Sequence, residues 1–198
     1  MNLKTIILMA GVCCLSAFKA KSQDIVITDK GDTIKCKLSH SMMGAYKYKT
    51  PSGTTVDLNM QNTREYYTGN KKTWIRRLYI TSSRIPCFLE IVTIGKLNLY
   101  EMSYKDMYYD GSLTYSHTTT SMVSGRPYSK TQYFVAKSDT AEVVFDDDLS
   151  KGKIKDLMDE KLTPFIQDNP NVLTLYKSEN HVSADDLKKL VEMYNGSK

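Results

Sequence analysis

The stretch from Ala141 to Leu162, AEVVFDDDLSKGKIKDLMDEKL, changes its hydrophobic period partway along. Up to Phe145 its apolar residues belong to a strand-like run. After that point they recur every three or four positions, at Leu149, Ile154, Leu157, Met158 and Leu162. A period of two is typical of a strand and a period of 3.6 is typical of an amphipathic helix. The stretch therefore predicts a change from β-rich structure over residues 24–145 to helical structure over residues 146–196.

Extended segments alternate with tight turns before this junction. Asp24–Thr28 and Thr33–Leu38 flank a turn and predict one hairpin. Ala45–Lys49 and Thr54–Leu58 flank a turn at Thr50–Gly53 and predict a second. Phe88–Ile94, FLEIVTI, predicts a central strand because it is strongly hydrophobic. Residues 116–130 lack a sustained apolar period and predict a long loop or hairpin tip. Together these elements predict a mainly antiparallel sheet or partial barrel, with the helices packed on it in a single α+β domain over residues 23–198.

The last helix has the clearest local signal in the chain. Ser183 occupies the N-cap position, Asp186 follows three residues later as the acid of a capping box, and Gly196 ends the helix. Another acidic run, Asp146–Asp148, is predicted to lie near the positive end of the first helix. The same run offers oxygen ligands for Ca²⁺, but it lacks the alternation of ligands and the glycine of a dedicated calcium loop. A helix start is therefore the preferred interpretation.

The N-terminus has the layout of a secretory signal peptide. Lys4 supplies a positive charge, Thr5–Phe18 is an apolar run, and small polar residues follow. The run is short for a membrane span. Ala20 and Ser22 are small residues at the two positions that a signal peptidase recognises, which predicts cleavage near Ser22/Gln23, with residues 17–20 as a competing site. The mature protein is therefore expected outside the cytoplasm, in the periplasm, at the outer membrane or secreted.

Two cysteines at the end of the apolar run raise the alternative of a lipoprotein. Cys13 and Cys14 lie where a lipid-accepting cysteine is found. Ala10 and Gly11 stand three positions before them, where a large aliphatic residue is expected. The sequence favours a cleaved signal peptide over lipidation of either cysteine.

Cleavage changes the charge of the protein. The whole chain has 27 basic and 22 acidic residues, a net charge of +5. Removal of residues 1–22 deletes Lys4, Lys19 and Lys21 and no acid, which leaves 24 basic and 22 acidic residues, a net charge of +2. Such a nearly neutral chain has no general attraction for polyanions, so nucleic acid is not an expected partner.

The mature chain keeps two cysteines, Cys36 and Cys87. A pair of cysteines in an oxidising compartment suggests a disulfide. Such a bond would stabilise the fold by roughly 4 kcal/mol in the chain-entropy model. The alternative is that Cys36 alternates in step with Ile34 and Leu38 and is a small buried apolar residue.

Tyrosine is unusually common, with 14 residues against 5 phenylalanines and 1 tryptophan. Many of the tyrosines fall in the polar region around residues 98–133. Tyrosine rings stack and tyrosine hydroxyls form hydrogen bonds, so these side chains suit a glycan or protein partner. Tyrosine also suits a half-buried strand, which is the simpler explanation. The candidate binding residues are Tyr104, Tyr108, Tyr109, Tyr115 and Tyr128.

Catalytic and metal-binding motifs are not found in the sequence. His40, His117 and His181 are far apart, and none has a cysteine, acid or histidine at a metal-ligand spacing. Cys87 follows a proline at the start of an apolar strand, which is not a recognisable nucleophile setting. Nucleotide-binding and hydrolase fingerprints are also missing. The sequence therefore predicts no catalytic residue, no metal site and no cofactor.

Several segments carry a resemblance to a group of proteins. They are GDTIKCKL at Gly31–Leu38, FLEIV with GKLNLYE within Phe88–Glu101, the QYFVAK strand at Gln132–Lys137, and a final helix ending in MYN. The combination resembles small exported proteins of Bacteroidota whose function is unknown. The resemblance implies an extracytoplasmic location and brings no catalytic residue with it.

These observations lead to ordered expectations about function. We expect a noncatalytic exported module that binds a protein or glycan partner in the cell envelope or has a structural role there, with no transmembrane span in the mature chain. A secreted hydrolase of unrecognised type is the first alternative, and it requires converging polar side chains such as two carboxylates. The second alternative is a lipid-carrying envelope protein, which requires an apolar cavity beneath Phe88–Ile94.

Overall fold

A computed structural model of the chain describes residues 23–40, 46–82, 86–108, 126–178 and 183–197, with the backbone alone at residues 40, 104–108 and 126–128. The predicted signal peptide and the lipidation alternative at Cys13 and Cys14 lie outside the described residues, the first of which is Gln23. The chain divides into two compact units, one ending at Trp74 and the other beginning at Ile75. The single domain over residues 23–198 stays a prediction.

The first unit is built from short antiparallel strands. One group pairs β1 with both β2 and β6, and the other has the order β3-β4-β5. The strands are β1 Asp24–Thr28, β2 Thr33–Cys36, β3 Leu38–His40, β4 Tyr46–Lys49, β5 Thr55–Asp57 and β6 Thr63–Thr68. The β1–β2 and β4–β5 pairs confirm the two predicted hairpins.

Hydrogen bonds at the start of β1 and in the second hairpin stabilise this unit. The Asp24 carboxylate accepts the backbone N–H of Leu38 at 2.7 Å and that of Gly69 at 2.7 Å, which ties two chain segments to the start of β1. In the second hairpin Gly53 has a φ of +90°, a backbone conformation that favours glycine. Its N–H donates to the carbonyl of Thr50 at 2.9 Å and closes the turn.

The second unit contains a ring-like sheet. Its strands pair antiparallel in chain order, and β11 pairs parallel with β7 through Thr140↔Tyr79 and Ala141↔Ile80. This closure confirms the predicted partial barrel. The strands are β7 Thr73–Ile80, whose first two residues precede the unit boundary, β8 Pro86–Thr93, β9 Asn98–Tyr108, β10 Arg126–Ala136 and β11 Thr140–Asp146.

Helices follow the sheet, as the change of period predicts. They are α1 Lys151–Lys161, α2 Thr163–Ile166, α3 Pro170–Ser178 and α4 Ala184–Gly196. The Ser183 side chain accepts the N–H of Asp186, and the Asp186 carboxylate accepts the N–H of Ser183, so the predicted capping box is confirmed. The second unit is therefore α+β, with strands first and helices last.

Two hydrophobic cores lie on the two faces of this sheet, because side chains alternate along each strand. Leu99 of β9 and Val135 of β10 pack in the core shared with the helices. Their neighbours Tyr100 and Phe134 belong to a second core, to which all five strands contribute, inside the ring. All four side chains are at most 1% exposed.

Two local predictions are wrong. The acidic run Asp146–Asp148 does not start a helix, because α1 begins at Lys151 and has no acid in its first turn. Asp146 instead ends β11, and the run bonds to β10. The loop predicted over residues 116–130 is too long at its C-terminal end, because β10 already begins at Arg126. Residues 116–125 lie outside the described part of the chain.

Candidate functional site

The hairpin of β9 and β10 extends beyond the strands beside it. The two strands pair in an unbroken register from Asn98↔Ala136 to Tyr108↔Arg126. The pairing of β8 with β9 ends at Glu90↔Glu101, and that of β11 with β10 ends at Asp146↔Gln132. Among the described strands, none therefore flanks residues 103–108 and 126–131, which we call the ribbon. Six residues on each strand give it a length of about 20 Å.

The register assigns three of the predicted tyrosines to one face of the ribbon. Directly opposite residues of an antiparallel pair share a face, and alternate residues of a strand return to that face. Tyr128 is opposite Asp106, between Tyr104 and Tyr108 along the ribbon. We call this side the tyrosine face, and its register positions are Tyr104, Asp106, Tyr108, Arg126, Tyr128 and Lys130. Tyr109 and Tyr115, the other two candidates, lie outside the described residues.

The remaining positions of the ribbon make up its opposite face. They are Ser103, Lys105, Met107, Pro127, Ser129 and Thr131. This face continues along the two strands toward Leu99 and Val135, in the core shared with the helices. The tyrosine face continues in the other direction, toward Tyr100 and Phe134 inside the ring. The ribbon is thus an extension of both faces of the sheet.

A charged cluster holds the base of the ribbon on the side of the tyrosine face. The Lys130 ammonium lies 3.1 Å from the Asp146 carboxylate and 3.2 Å from that of Asp148. Gln132 Nε2 donates to Asp146 Oδ2 at 2.6 Å. Burial acts to raise the pKa of the Asp146 carboxyl. The hydrogen bonds from Gln132, the Asp148 N–H and Lys130, together with the Lys130 charge, outweigh burial and lower this pKa below its usual value.

The acidic run also covers the outer edge of β10 at the same level. The Thr131 N–H donates to Asp147 Oδ1 at 2.8 Å, and the Asp147 N–H donates to the Thr131 carbonyl at 3.1 Å. The Asp148 N–H donates to Asp146 Oδ1 at 3.0 Å. All three acids of the run therefore serve to fix β10 where the ribbon begins.

A second polar cluster holds the base on the opposite face. Tyr133 interacts electrostatically with Glu101 of β9 and with Lys188 of α4, whose ammonium lies 5.2 Å from the Tyr133 ring centre. Ser103 Oγ donates to Glu101 Oε1 at 2.8 Å and lies 3.2 Å from Thr131 Oγ1. Burial raises the pKa of Tyr133 in spite of the lysine, so this tyrosine stays protonated and is a poor base.

Glu101 also has a carboxylate as its cross-strand partner. Glu90 of β8 is directly opposite Glu101 of β9, so both residues lie on the face of the sheet that meets the helices. Like charges in this relation destabilise a sheet unless neighbouring groups compensate. A pair of carboxylates is also what most glycoside hydrolases use for catalysis. Sequence patterns do not reveal this pair, because its members belong to different strands.

A polar cavity lies near the end of α4. Its volume is about 300 Å³, and its lining includes Lys96, Asp168 and Tyr194. The Tyr194 hydroxyl donates to the Asp168 carboxylate at 2.9 and 3.0 Å and accepts from Lys137 Nζ at 2.9 Å. The Lys96 ammonium donates to the carbonyl of Ser197. The polar groups named here thus bind one another, which favours a structural role for the cavity wall.

The two cysteines are free thiols in the structure, Cys36 buried in the first unit and Cys87 half-buried in the second. The structure therefore lends no support to the Cys36–Cys87 disulfide, which stays a prediction. Burial, with a smaller contribution from Asp24, raises the pKa of Cys36 to about 11. Burial also raises the pKa of Cys87. Both groups are thus protonated, unreactive thiols at neutral pH.

Neither a metal centre nor a membrane helix is found in the described part of the chain. No three histidines, cysteines or acids of the described residues are grouped so as to hold a metal ion. No helix among these residues combines the length and apolar character needed to cross a bilayer. His40 is described by its backbone alone, and His117 and His181 lie outside the described residues.

Comparison with known proteins gives no relative: no protein-family model, no curated protein and no solved structure matches the chain.

Proposed function

We propose that this protein is an exported, noncatalytic binding module of the cell envelope and that the tyrosine face of the ribbon is its contact surface. The observation that carries the proposal is the ribbon itself, in which β9 and β10 continue past both neighbouring strands while three tyrosines fall on one face. Aromatic residues with a polar group are common at binding surfaces because they combine contact area with hydrogen bonding.

The anchoring of the ribbon supports a role in recognition. Lys130 and the acidic run fix its base on one side, and Glu101, Tyr133 and Lys188 fix it on the other. A partner that binds a preorganised surface loses less free energy to ordering of that surface. The two clusters therefore hold the ribbon in position, as a rigid scaffold holds a binding loop.

The location of the protein outside the cytoplasm is part of the same proposal. Its support is the layout of Lys4, Thr5–Phe18 and Ala20–Ser22, together with the resemblance to exported Bacteroidota proteins. In this setting the partner is a protein or glycan of the envelope. Mass spectrometry of the secreted or periplasmic protein tests the location, and an N-terminus at or near Gln23 is the expected result.

Cosedimentation of the purified mature chain with washed cell envelopes tests the contact surface. The triple variant Tyr104→Ala, Tyr108→Ala, Tyr128→Ala is expected to lose at least about nine-tenths of the binding, since aromatic anchors carry most of the free energy of an interface. The matched control is Lys105→Ala, Met107→Ala, Ser129→Ala on the opposite face, which is expected to bind as the wild type does. Equal binding by the two triple variants would contradict the proposal.

A secreted hydrolase is the second candidate, and the Glu90/Glu101 pair is the observation that favours it. The pair ranks second because Glu101 already accepts a hydrogen bond from Ser103 and interacts electrostatically with Tyr133. Incubation of the mature chain with purified envelope glycans, followed by measurement of new reducing ends, separates the two candidates. Release that is abolished in both Glu90→Gln and Glu101→Gln would establish the hydrolase, whereas the binding module is expected to release none.

A further inference from the structure

We infer that the partner of the tyrosine face is a linear polysaccharide chain that lies along the ribbon. This inference rests on the proposed function and narrows it from a protein or glycan to one class of ligand. Three features of the ribbon support this inference: the spacing of the tyrosine positions, the other residues on the tyrosine face, and the protection of both strand edges.

The tyrosine positions form a row along the ribbon. Tyr104 and Tyr108 are four residues apart on β9, which corresponds to about 13 Å. Tyr128 of β10 is opposite Asp106 and is therefore a diagonal neighbour of both, at roughly 7–8 Å. Such a row suits an extended ligand with repeated flat units better than a compact one, because each unit meets an aromatic position in turn.

The other residues of the tyrosine face favour a ligand rich in hydroxyl groups. Asp106, Arg126 and Lys130 fill the remaining register positions, and no aliphatic residue is among them. The cores of protein interfaces are depleted in lysine and aspartate and are more apolar than their rims. Sugar rings present apolar faces to aromatic rings and hydroxyls to charged hydrogen-bonding groups. Met107 and Pro127, the apolar residues of the ribbon, are on the opposite face.

Addition of a partner strand to either edge of the ribbon is disfavoured. Asp147 binds the outer edge of β10 at Thr131, and Pro127 further along has no N–H to donate. The β9 edge of the ribbon could pair antiparallel with β9 of a second copy. In that arrangement, residues of one face of the ribbon are opposite residues of the same face in the other copy. The two central registers then place Lys105 opposite Lys105 of the partner subunit, or Asp106 opposite Asp106 of the partner subunit, and like charges in that relation repel. The face, not an edge, is thus the surface left for a ligand.

Affinity electrophoresis of the mature chain tests the inference with hydroxyethyl cellulose, laminarin, glycol chitin and dextran as soluble probes. The wild type is expected to be retarded by at least one of them. Tyr104→Ala, Tyr108→Ala, Tyr128→Ala is expected to raise the dissociation constant at least about 10-fold, and Asp106→Ala or Arg126→Ala several-fold. Lys105→Ala, Met107→Ala, Ser129→Ala should migrate as the wild type does. Thermal melts of all variants establish that they fold.

The envelope assay separates failure of this inference from failure of the proposed function. One outcome is that envelope binding depends on the tyrosines and is abolished by prior protease treatment of the envelopes, while no polysaccharide retards the protein. The partner is then a protein, so the inference is overturned and the proposed function stands. If envelope binding does not depend on the tyrosines, both are overturned. Tyrosine-dependent retardation by a polysaccharide, with envelope binding resistant to protease, supports both.

Discussion

The two halves of the β9–β10 hairpin share one register but have different surroundings. In the half nearer the ring, residues 98–102 and 132–136, one face fills the ring interior and the other meets the helices. In the ribbon, no described strand lies on either side. The difference arises because β8 and β11 end while β9 and β10 continue. A tyrosine on a strand thus packs in a core where the neighbouring strands continue. Where those strands have ended, it is a candidate for contact with a partner.

The largest expected effect is loss of a core side chain from the inner half. Phe134 is 1% exposed inside the ring, so Phe134→Ala removes a buried ring and leaves a cavity. We expect the free energy of unfolding to fall by about 3–5 kcal/mol. Urea denaturation measures it. A loss below about 1 kcal/mol would mean that the two halves do not differ as described.

An intermediate effect is expected at the boundary between the halves. Lys130→Met removes the cation that binds Asp146 and Asp148 and leaves the Asp146 carboxylate with less compensation in a largely buried place. We expect a loss of roughly 2 kcal/mol. We also expect faster cleavage at Lys105 in limited proteolysis, because the ribbon loses its anchor. Lys105 cleavage at the wild-type rate would show that this cluster does not hold the ribbon.

The same cluster gives a pH dependence with a definite sign. The folded-state pKa of Asp146 is lowered from its usual 3.8, so folding favours the ionised carboxyl. This contribution is fully present above the unfolded-state pKa and is lost as the pH falls below 3.8 and through the lower folded-state pKa. Asp146→Asn is expected to flatten that part of the stability profile. Identical slopes for the variant and the wild type in denaturation at each pH would be the contrary result.

The smallest expected effect is on stability when a single tyrosine of the ribbon is removed. Tyr108→Ala lies in the last described pair of the hairpin, beyond both neighbouring strands. We expect its free energy of unfolding to stay within about 0.5 kcal/mol of wild type. A thermal melt beside Phe134→Ala checks the contrast. A fall of more than about 2 kcal/mol would place Tyr108 in a core.

Local signals in the sequence were enough to predict much of this architecture. The change of period after Phe145 marks the passage from sheet to helix, and the Ser183–Asp186 capping box forms as expected. The turn at Gly53 likewise depends only on neighbouring residues. Each of these features is fixed by residues within a few positions of one another, which is the range over which period and capping chemistry act.

The parts that escaped prediction depend on register between distant strands. The acidic run is typical of a helix start by composition, yet Asp146 pairs with Lys130 because β11 runs beside β10. Glu90 and Glu101 become neighbours only when β8 and β9 align. In the same way, Tyr100 and Tyr104 lie on the same face of β9 and look alike in the sequence. They differ because the pairing of β8 with β9 ends between them, so that Tyr100 is buried in the ring and Tyr104 belongs to the ribbon.

The central claim is that the ribbon is the surface through which this protein meets its partner. Hydrogen–deuterium exchange of the mature chain, alone and bound to washed envelopes, tests it most directly. We expect new protection of backbone amides in residues 103–108 and 126–131, with residues 98–102 and 132–136 unchanged because they are already protected within the sheet. New protection elsewhere, such as around Lys96 and Tyr194, with none in the ribbon, would contradict the account.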